Sequence, residues 1–266
     1  MIKFPSIEQF RNVIRHVKTH AQYAGRDENG DAIIDQTLPI PTLKFRGTVK
    51  LHGTNAGIVY DLDSDTFTYQ SRERELSLTS DNAGFMLWAM SHEGDWRFLC
   101  ENIWVPTGTK KIAIFGEWCG SGIQKGVALT QLPKMFVIFA IKAVDEEGNS
   151  TWLDISEEEG YYFCCGCEDG GNDHTIHSIY EFPTFEIDID FKFPEIAQNK
   201  MIEITEEVEK ECPVGKYFFN SMNGATVWLE NGKVCSSVEL TDEVKQHCAD
   251  VLKLDLDSTQ VITLSF

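Results

Sequence analysis

No run of about eighteen apolar residues occurs in this 266-residue chain, so no helix of the length a bilayer demands is expected. The first residues, Met1-Ile2-Lys3-Phe4-Pro5, lack the apolar h-region of a secretory leader, and a cytoplasmic protein is the expectation. Positive charge is also scarce: 23 Lys+Arg face 42 Asp+Glu, a formal net charge of -19. Coating nucleic acid non-specifically depends on lysine and arginine releasing counterions from phosphates, and such a balance excludes that class. The deficit is uneven. Residues 1 to 142 hold 16 basic and 15 acidic side chains, whereas residues 143 to 266 hold 7 and 27. A phosphate-handling site therefore belongs in the first half, and the acidic second half reads as solvated surface. Cysteine is not scarce, with eight, but a chain of this size without a leader needs no disulfide framework, and the thiols are read as reduced. An apolar fraction of 42% supports a real core and one principal domain spanning 1–266.

The stretch that draws attention is Thr48-Val49-Lys50-Leu51-His52-Gly53-Thr54-Asn55, with Gly57-Ile58-Val59-Tyr60 continuing as a strand. A lysine between apolar neighbours in such a run is open to desolvation, which lowers its pKa and makes the amine a nucleophile. The plain alternative is a surface lysine before a turn.

Upstream, Pro5-Ser6 followed by Ile7, Phe10, Ile14 and Val17 predicts an amphipathic helix capped by Ser6 with Gln9 closing a capping box. Residues 25 to 31 read as an exposed loop. Ile58-Val59-Tyr60 and Phe67-Thr68-Tyr69-Gln70, separated by Asp61, Asp63, Ser64 and Asp65, form a hairpin signal that empties into Arg72 and Arg74. Asp81-Asn82-Ala83-Gly84-Phe85 opens a helical segment through Leu87, Trp88 and Met90, whose aromatics are expected in the core. Ile112-Ala113-Ile114-Phe115-Gly116-Glu117 is a buried strand that delivers one carboxylate, and a lone buried carboxylate needs a partner. Phe136-Val137-Ile138-Phe139-Ala140-Ile141 is a second buried strand. Residues 180 to 191 alternate as an edge strand, and Thr205 to Cys212 predicts a helix capped by Thr205. Cys164, Cys165, Cys167, His174 and His177 supply donors for a candidate zinc site, in a spacing that matches no standard zinc pattern.

Lys50-Leu51-His52-Gly53-Thr54-Asn55, Arg72 after a following strand, Phe115-Gly116-Glu117 and the phenylalanine-rich strand from Phe136 occur in the order of motifs I, Ia, III and IIIa of the covalent nucleotidyltransferases. The chain resembles the phage-type ATP-dependent RNA ligases, whose adenylation domain is like that of RNA ligase 2. The likeness covers roughly residues 38 to 230, with 1–37 an N-terminal helix and loop and 231–266 a diverged or shortened end. It implies an α+β nucleotidyltransferase fold of two packed, mostly antiparallel sheets with peripheral helices. It also implies ATP with Mg²⁺ or Mn²⁺ as cofactors, a monomer, no membrane association, and RNA 5′-phosphate and 3′-hydroxyl ends as partners, as in RNA repair. Lys50 would carry AMP. Val49, Leu51, His52, Gly53, Asn55, Arg72 and Glu117 would surround the nucleotide, and Phe136 would stack on adenine with Phe139 in the core. Arg74 and Lys125 would meet phosphate or RNA.

Two departures stand against the family pattern. Asn223 occupies the place where motif IV has a glutamate, and Lys233 is a single lysine where motif V has a pair. Asparagine brings no charge to a metal. A ligase-like protein that binds nucleotides or RNA ends without turnover is therefore the alternative, and a zinc-dependent interaction protein a third.

Overall fold

The computed structural model describes residues 1–156, 175–215 and 217, together with three short strands at 226–230, 233–236 and 261–263. The chain divides into two compact units, Met1–Lys210 and Glu211–Phe266. In the first unit helix α1 (Phe10–Ala21) is followed by strands β1 (Tyr23–Arg26), β2 (Ala32–Ile34), β3 (Thr42–Thr48), β4 (Thr54–Asp61) and β5 (Thr66–Ser71). Helices α2 (Phe85–Ser91) and α3 (Glu93–Asn102) come next, then β6 (Thr109–Cys119), β7 (Met135–Asp145), β8 (Ser150–Leu153), β9 (Ile176–Ser178), β10 (Thr184–Asp190) and α4 (Pro194–Lys210). In the second unit β11 (Thr226–Glu230) pairs antiparallel with both β12 (Lys233–Ser236) and β13 (Val261–Thr263). The architecture is mixed α and β, with mostly antiparallel sheets and few helices, as the sequence led us to expect.

The central sheet runs β5-β4-β6-β7-β8, and β9 joins the same side of β7 in parallel. Its two faces are separately packed because alternate residues point to opposite sides. Ala56, Ile58, Ile112, Ile114, Trp118, Phe136 and Ile138 form the face covered by Phe85, Ala89, Trp96 and Leu99 of α2 and α3. Val59, Ala113 and Phe115 lie on the other, where Ile2, Phe4, Phe139 and Ala140 pack against them. A β-bulge between β6 and β7 leaves Phe139 opposite no residue: Phe115 pairs with Ala140 and Gly116 with Ile138.

The β4–β5 hairpin forms where the aspartate-rich turn predicts it, with Asp65 at φ 53°. Tyr60 Oη donates to Asp65 at 2.7 Å, and Arg97 from α3 donates to the same carboxylate. Asp81 accepts from the amides of Asn82 at 2.5 Å and Met86 at 2.8 Å, which ties the preceding turn to the first turn of α2.

Several boundaries differ from expectation. Ser6 does not cap α1: the helix begins at Phe10 after Gln9, and Ile7 is 89% exposed. The reason is that residues 2 to 6 are held elsewhere, as an extended strap on the central sheet. Ile2 donates from its amide to Gln70 Oε1 at 3.0 Å and accepts from Gln70 Nε2 at 2.5 Å. Phe4 sits among Phe115, Phe139 and Trp152, with ring centroids 5.0 to 5.5 Å away. Residues 25 to 31 are the tip of the short β1–β2 hairpin rather than only loop. α4 starts at Pro194, and Thr205 lies inside it, donating to Met201 O at 2.7 Å instead of capping. β10 pairs with β3 from Thr184↔Thr48 to Asp190↔Thr42, so its alternating acids lie on a two-stranded sheet. Cys100, Cys119 and Cys212 are free, and burial pushes the Cys100 and Cys119 thiols up to about 12, which keeps them unreactive.

Candidate active site

β3 delivers the chain into the segment Val49–Gly53, which is not strand and in which burial alternates. Val49 and Leu51 are 7% and 8% exposed, whereas Lys50 and His52 are exposed. The two apolar residues therefore anchor the segment and present the lysine outward. This corrects two expectations. Lys50 is not desolvated by its neighbours, because they turn inward while it turns out. The Val49 and Leu51 side chains are likewise withdrawn from any ligand, leaving only their backbone for contact.

Gly53 fixes the end of this segment. A Cβ there would stand 2.3 Å from Trp118 O and 2.7 Å from Cys119 Cβ, so only glycine permits the loop to lie against β6. Its amide donates to Glu117 Oε1 at 2.9 Å, and its carbonyl accepts from Gln124 Nε2 at 2.9 Å. Asn55 on β4 stands directly across from Glu117 on β6. Asn82 Nδ2 donates to Asn55 O at 3.4 Å and to Thr54 Oγ1 at 3.1 Å, tying the start of β4 to the turn before α2.

Glu117 has the partner that its position demands. Desolvation raises its pKa above the usual carboxylate range, while the Gly53 amide and the Lys50 charge pull the other way. Glu117 is thus a half-buried carboxylate tied to the backbone three residues after Lys50 and within reach of the lysine's charge.

The two phenylalanines of β7 differ from expectation in burial. Phe136 is 0% exposed and lies between Phe85, Trp88 and Trp96 at centroid distances of 5.1 to 6.0 Å. Its ring passes over Gly116, where a Cβ would be 2.5 Å away. It is a core residue with no face left for a nucleotide. Phe139 is half-buried and shares its face with Phe115, two residues before Glu117 on β6. Strand alternation carries this signal, but the bulge at Phe139 breaks the register on which it depends.

Arg72 follows β5, is exposed, donates to Ser6 Oγ at 3.5 Å and stands 3.7 Å from Glu73. Arg74 instead donates to Ser80 O at 2.5 Å and Asp81 O at 3.1 Å, so its guanidinium clamps the loop between β5 and α2. Lys125 is exposed in the glycine-rich turn after β6 that also carries Gln124. Gln70, Asn82 and Gln124 are supporting residues that sequence reasoning missed. A lone amide in a strand or loop gives no periodic signal, and only the fold shows what it touches.

Of the candidate zinc donors, only His177 is among the described residues. That residue is 5% exposed, with Nδ1 2.9 Å from Glu181 Oε2, while Cys164, Cys165, Cys167 and His174 lie outside the described residues. Among the described residues no group of three His, Cys, Asp or Glu side chains is arranged to hold a metal ion. Asn223 also lies outside them, and Lys233 is described only as part of β12. No helix among the described residues is long and apolar enough to cross a membrane.

No curated protein matches the chain. A family model described as RNA ligase matches residues 43–207, more than half of the chain and the whole run from β3 through Lys50, Arg72, Glu117 and Phe139 into α4. The protein belongs to the RNA ligase family.

Proposed function

We propose that this protein is an ATP-dependent RNA ligase built on the nucleotidyltransferase fold and working through a lysyl-AMP intermediate. The observation that carries the reading is the unit of Lys50, Gly53 and Glu117, in which the carboxylate both accepts from Gly53 at 2.9 Å and faces the lysine charge. A nucleophilic amine needs its approach fixed, and a carboxylate locked to the same loop does that.

In the first step the Lys50 amine, having lost a proton, attacks the α-phosphorus of ATP. A P–N bond forms, the bond to the bridging oxygen breaks, and pyrophosphate leaves. In the second step an RNA 5′-phosphate oxygen attacks the same phosphorus, the P–N bond breaks and AMP caps the RNA end through a phosphoanhydride. In the third a 3′-hydroxyl attacks the RNA phosphate, sealing the strand and releasing AMP. Glu117 binds ribose or orients Lys50, Arg72 meets phosphate, and Phe139, not Phe136, supplies the aromatic face for adenine. His52, Gly53 and Asn55 shape the loop beneath the phosphates, and Lys125 contributes a further cation. Mg²⁺ supplied with ATP would offset the charge that develops on the phosphate oxygens, and Glu117, tied to the Lys50 loop through Gly53, would be the carboxylate available to hold it.

Incubation with α-labelled ATP and Mg²⁺, followed by denaturing electrophoresis, tests the reading. Label is expected on the wild type and absent from Lys50→Ala. Absence of label from a folded wild type favours the second reading, a ligase-like module that binds nucleotides or RNA ends without turnover, which Asn223 and the single Lys233 motivate.

A further inference from the structure

We infer that the cleft between α1 and the start of β3 is a binding site for a single RNA strand, separate from the site that handles its ends. α1 carries Arg11, Arg15 and Lys18 at helical spacing along one side, with His16 and His20 on another. It has no acidic residue in its first turn. Lys18 and His20 in the last turn complement the helix dipole, which is a sufficient structural reason for them. Arg11 and Arg15 have no such reason. Arg11 lies in the first turn, where the dipole disfavours cations, and Arg15 stands mid-helix, beyond the dipole's reach. Both are exposed, and among the described residues no carboxylate lies within ion-pair distance of either. The nearby Glu8 is engaged with His16 at 3.3 Å. Two exposed arginines on one side of a helix, with no carboxylate beside them among the described residues, fit a polyanionic partner.

A second, independent feature lies beside them. An open cleft of about 950 Å³ is lined by Arg15, His20, Tyr23 and Leu43 among others. Tyr23 and Leu43 are 46% and 40% exposed, so an aromatic face and an apolar floor are presented next to the cations. Cations that follow a backbone beside an aromatic on which a base stacks are the two components of single-strand recognition. An anionic lipid surface or an acidic protein would use the arginines but has no need of a flat ring in a cleft.

The site sits on the strand that leads to the nucleophile. Leu43 is followed by the rest of β3 and then by Lys50, a separation of about 20 Å along an extended chain. The proposed cleft would therefore grip RNA several nucleotides from the reacting end. The binding step does not depend on the ligase reading, although the identity of the strand as a ligation substrate does.

The test is fluorescence anisotropy with a labelled single-stranded RNA of roughly 12 nucleotides, within the span of known single-strand sites. It bears a 5′-hydroxyl and a 3′-phosphate, so that neither end can enter the sealing reaction. R11E/R15E is expected to weaken binding by about 10-fold or more and to flatten its salt dependence, whose slope is roughly 0.7 per phosphate contact. Tyr23→Ala is expected to weaken it by about 5-fold or more, the least that loss of a stacked base costs. R11Q/R15Q, which adds no negative charge, should weaken it in the same direction, and circular dichroism on each variant confirms folding. Self-labelling with ATP, run in parallel, is expected to be unaltered. RNA affinity unchanged in folded R11E/R15E overturns the proposal. So does loss of binding to phosphatidylserine vesicles in that variant with RNA binding intact, which would assign the arginines to a lipid surface. Failure of the wild type to label, with the RNA effects as expected, removes the ligase reading and leaves the cleft standing.

Discussion

At the scale of single residues, the site depends on side chains that have opposite relations to stability. Glu117 is half-buried, and its pKa is raised chiefly by desolvation. A carboxyl whose folded pKa lies above its unfolded value favours the folded state while protonated, and that contribution is lost as pH rises through the folded pKa. At neutral pH the ionised group is therefore a liability to folding that the chemistry requires. Glu117→Gln is expected to label poorly with ATP yet to melt no lower than wild type near neutral pH, with a flatter dependence of melting temperature on pH. Thermal scans across pH and a labelling assay check both halves.

Phe136 and Phe139 offer the converse pair. Phe136→Ala should cost about 3 to 5 kcal/mol of folding stability, the usual loss for a fully buried aromatic. Phe139→Ala should instead raise the ATP concentration needed for half-maximal labelling while costing less stability. Chemical denaturation and ATP titration separate the two. Gly53→Ala is expected to reduce labelling by about 100-fold, because a displacement of the loop near 1 Å suffices for that. The measurement is the initial labelling rate against wild type.

At the scale of elements, the strap of residues 2 to 6 is the part that pattern reading missed. Ile7, Phe10, Ile14 and Val17 have helical spacing, but the helix claims only the last three. The Gln70 side chain and the ring cluster of Phe115, Phe139 and Trp152 hold the preceding residues extended, and those partners lie 68 to 148 residues away. No local window contains them. Phe4→Ala is expected to cost about 2 kcal/mol, near the value of burying one such side chain, whereas Ile7→Ala should lie within about 0.5 kcal/mol of wild type. Urea unfolding of the two variants tests the contrast. By comparison, β4, β5, β6 and β7 were legible because their apolar runs are long and their turns carry aspartate or glycine. Lys50, Gly53 and Glu117 were legible as residues because each stands at the end of such a run. What the sequence could not carry was which way each faced: Lys50 turned out through the inward pull of Val49 and Leu51, and Phe139 shifted by a bulge.

At the scale of the whole molecule, a net charge of -19 opposes nucleic acid, so the RNA contact proposed above depends on local clusters of cations. Sealing of RNA should therefore fall more steeply with salt than self-labelling does. A rise from 50 to 200 mM is expected to lower sealing by about 10-fold, since each released counterion contributes to the slope. Parallel rate measurements over that range check the difference.

The strap also sets an order of events during biosynthesis. Ile2 and Phe4 leave the ribosome long before Gln70 and Trp152, the groups that hold them. At about 5 to 20 residues per second, the interval before Trp152 is made is roughly 7 to 30 seconds. Throughout it residues 2 to 6 wait for the sheet face on which they come to lie.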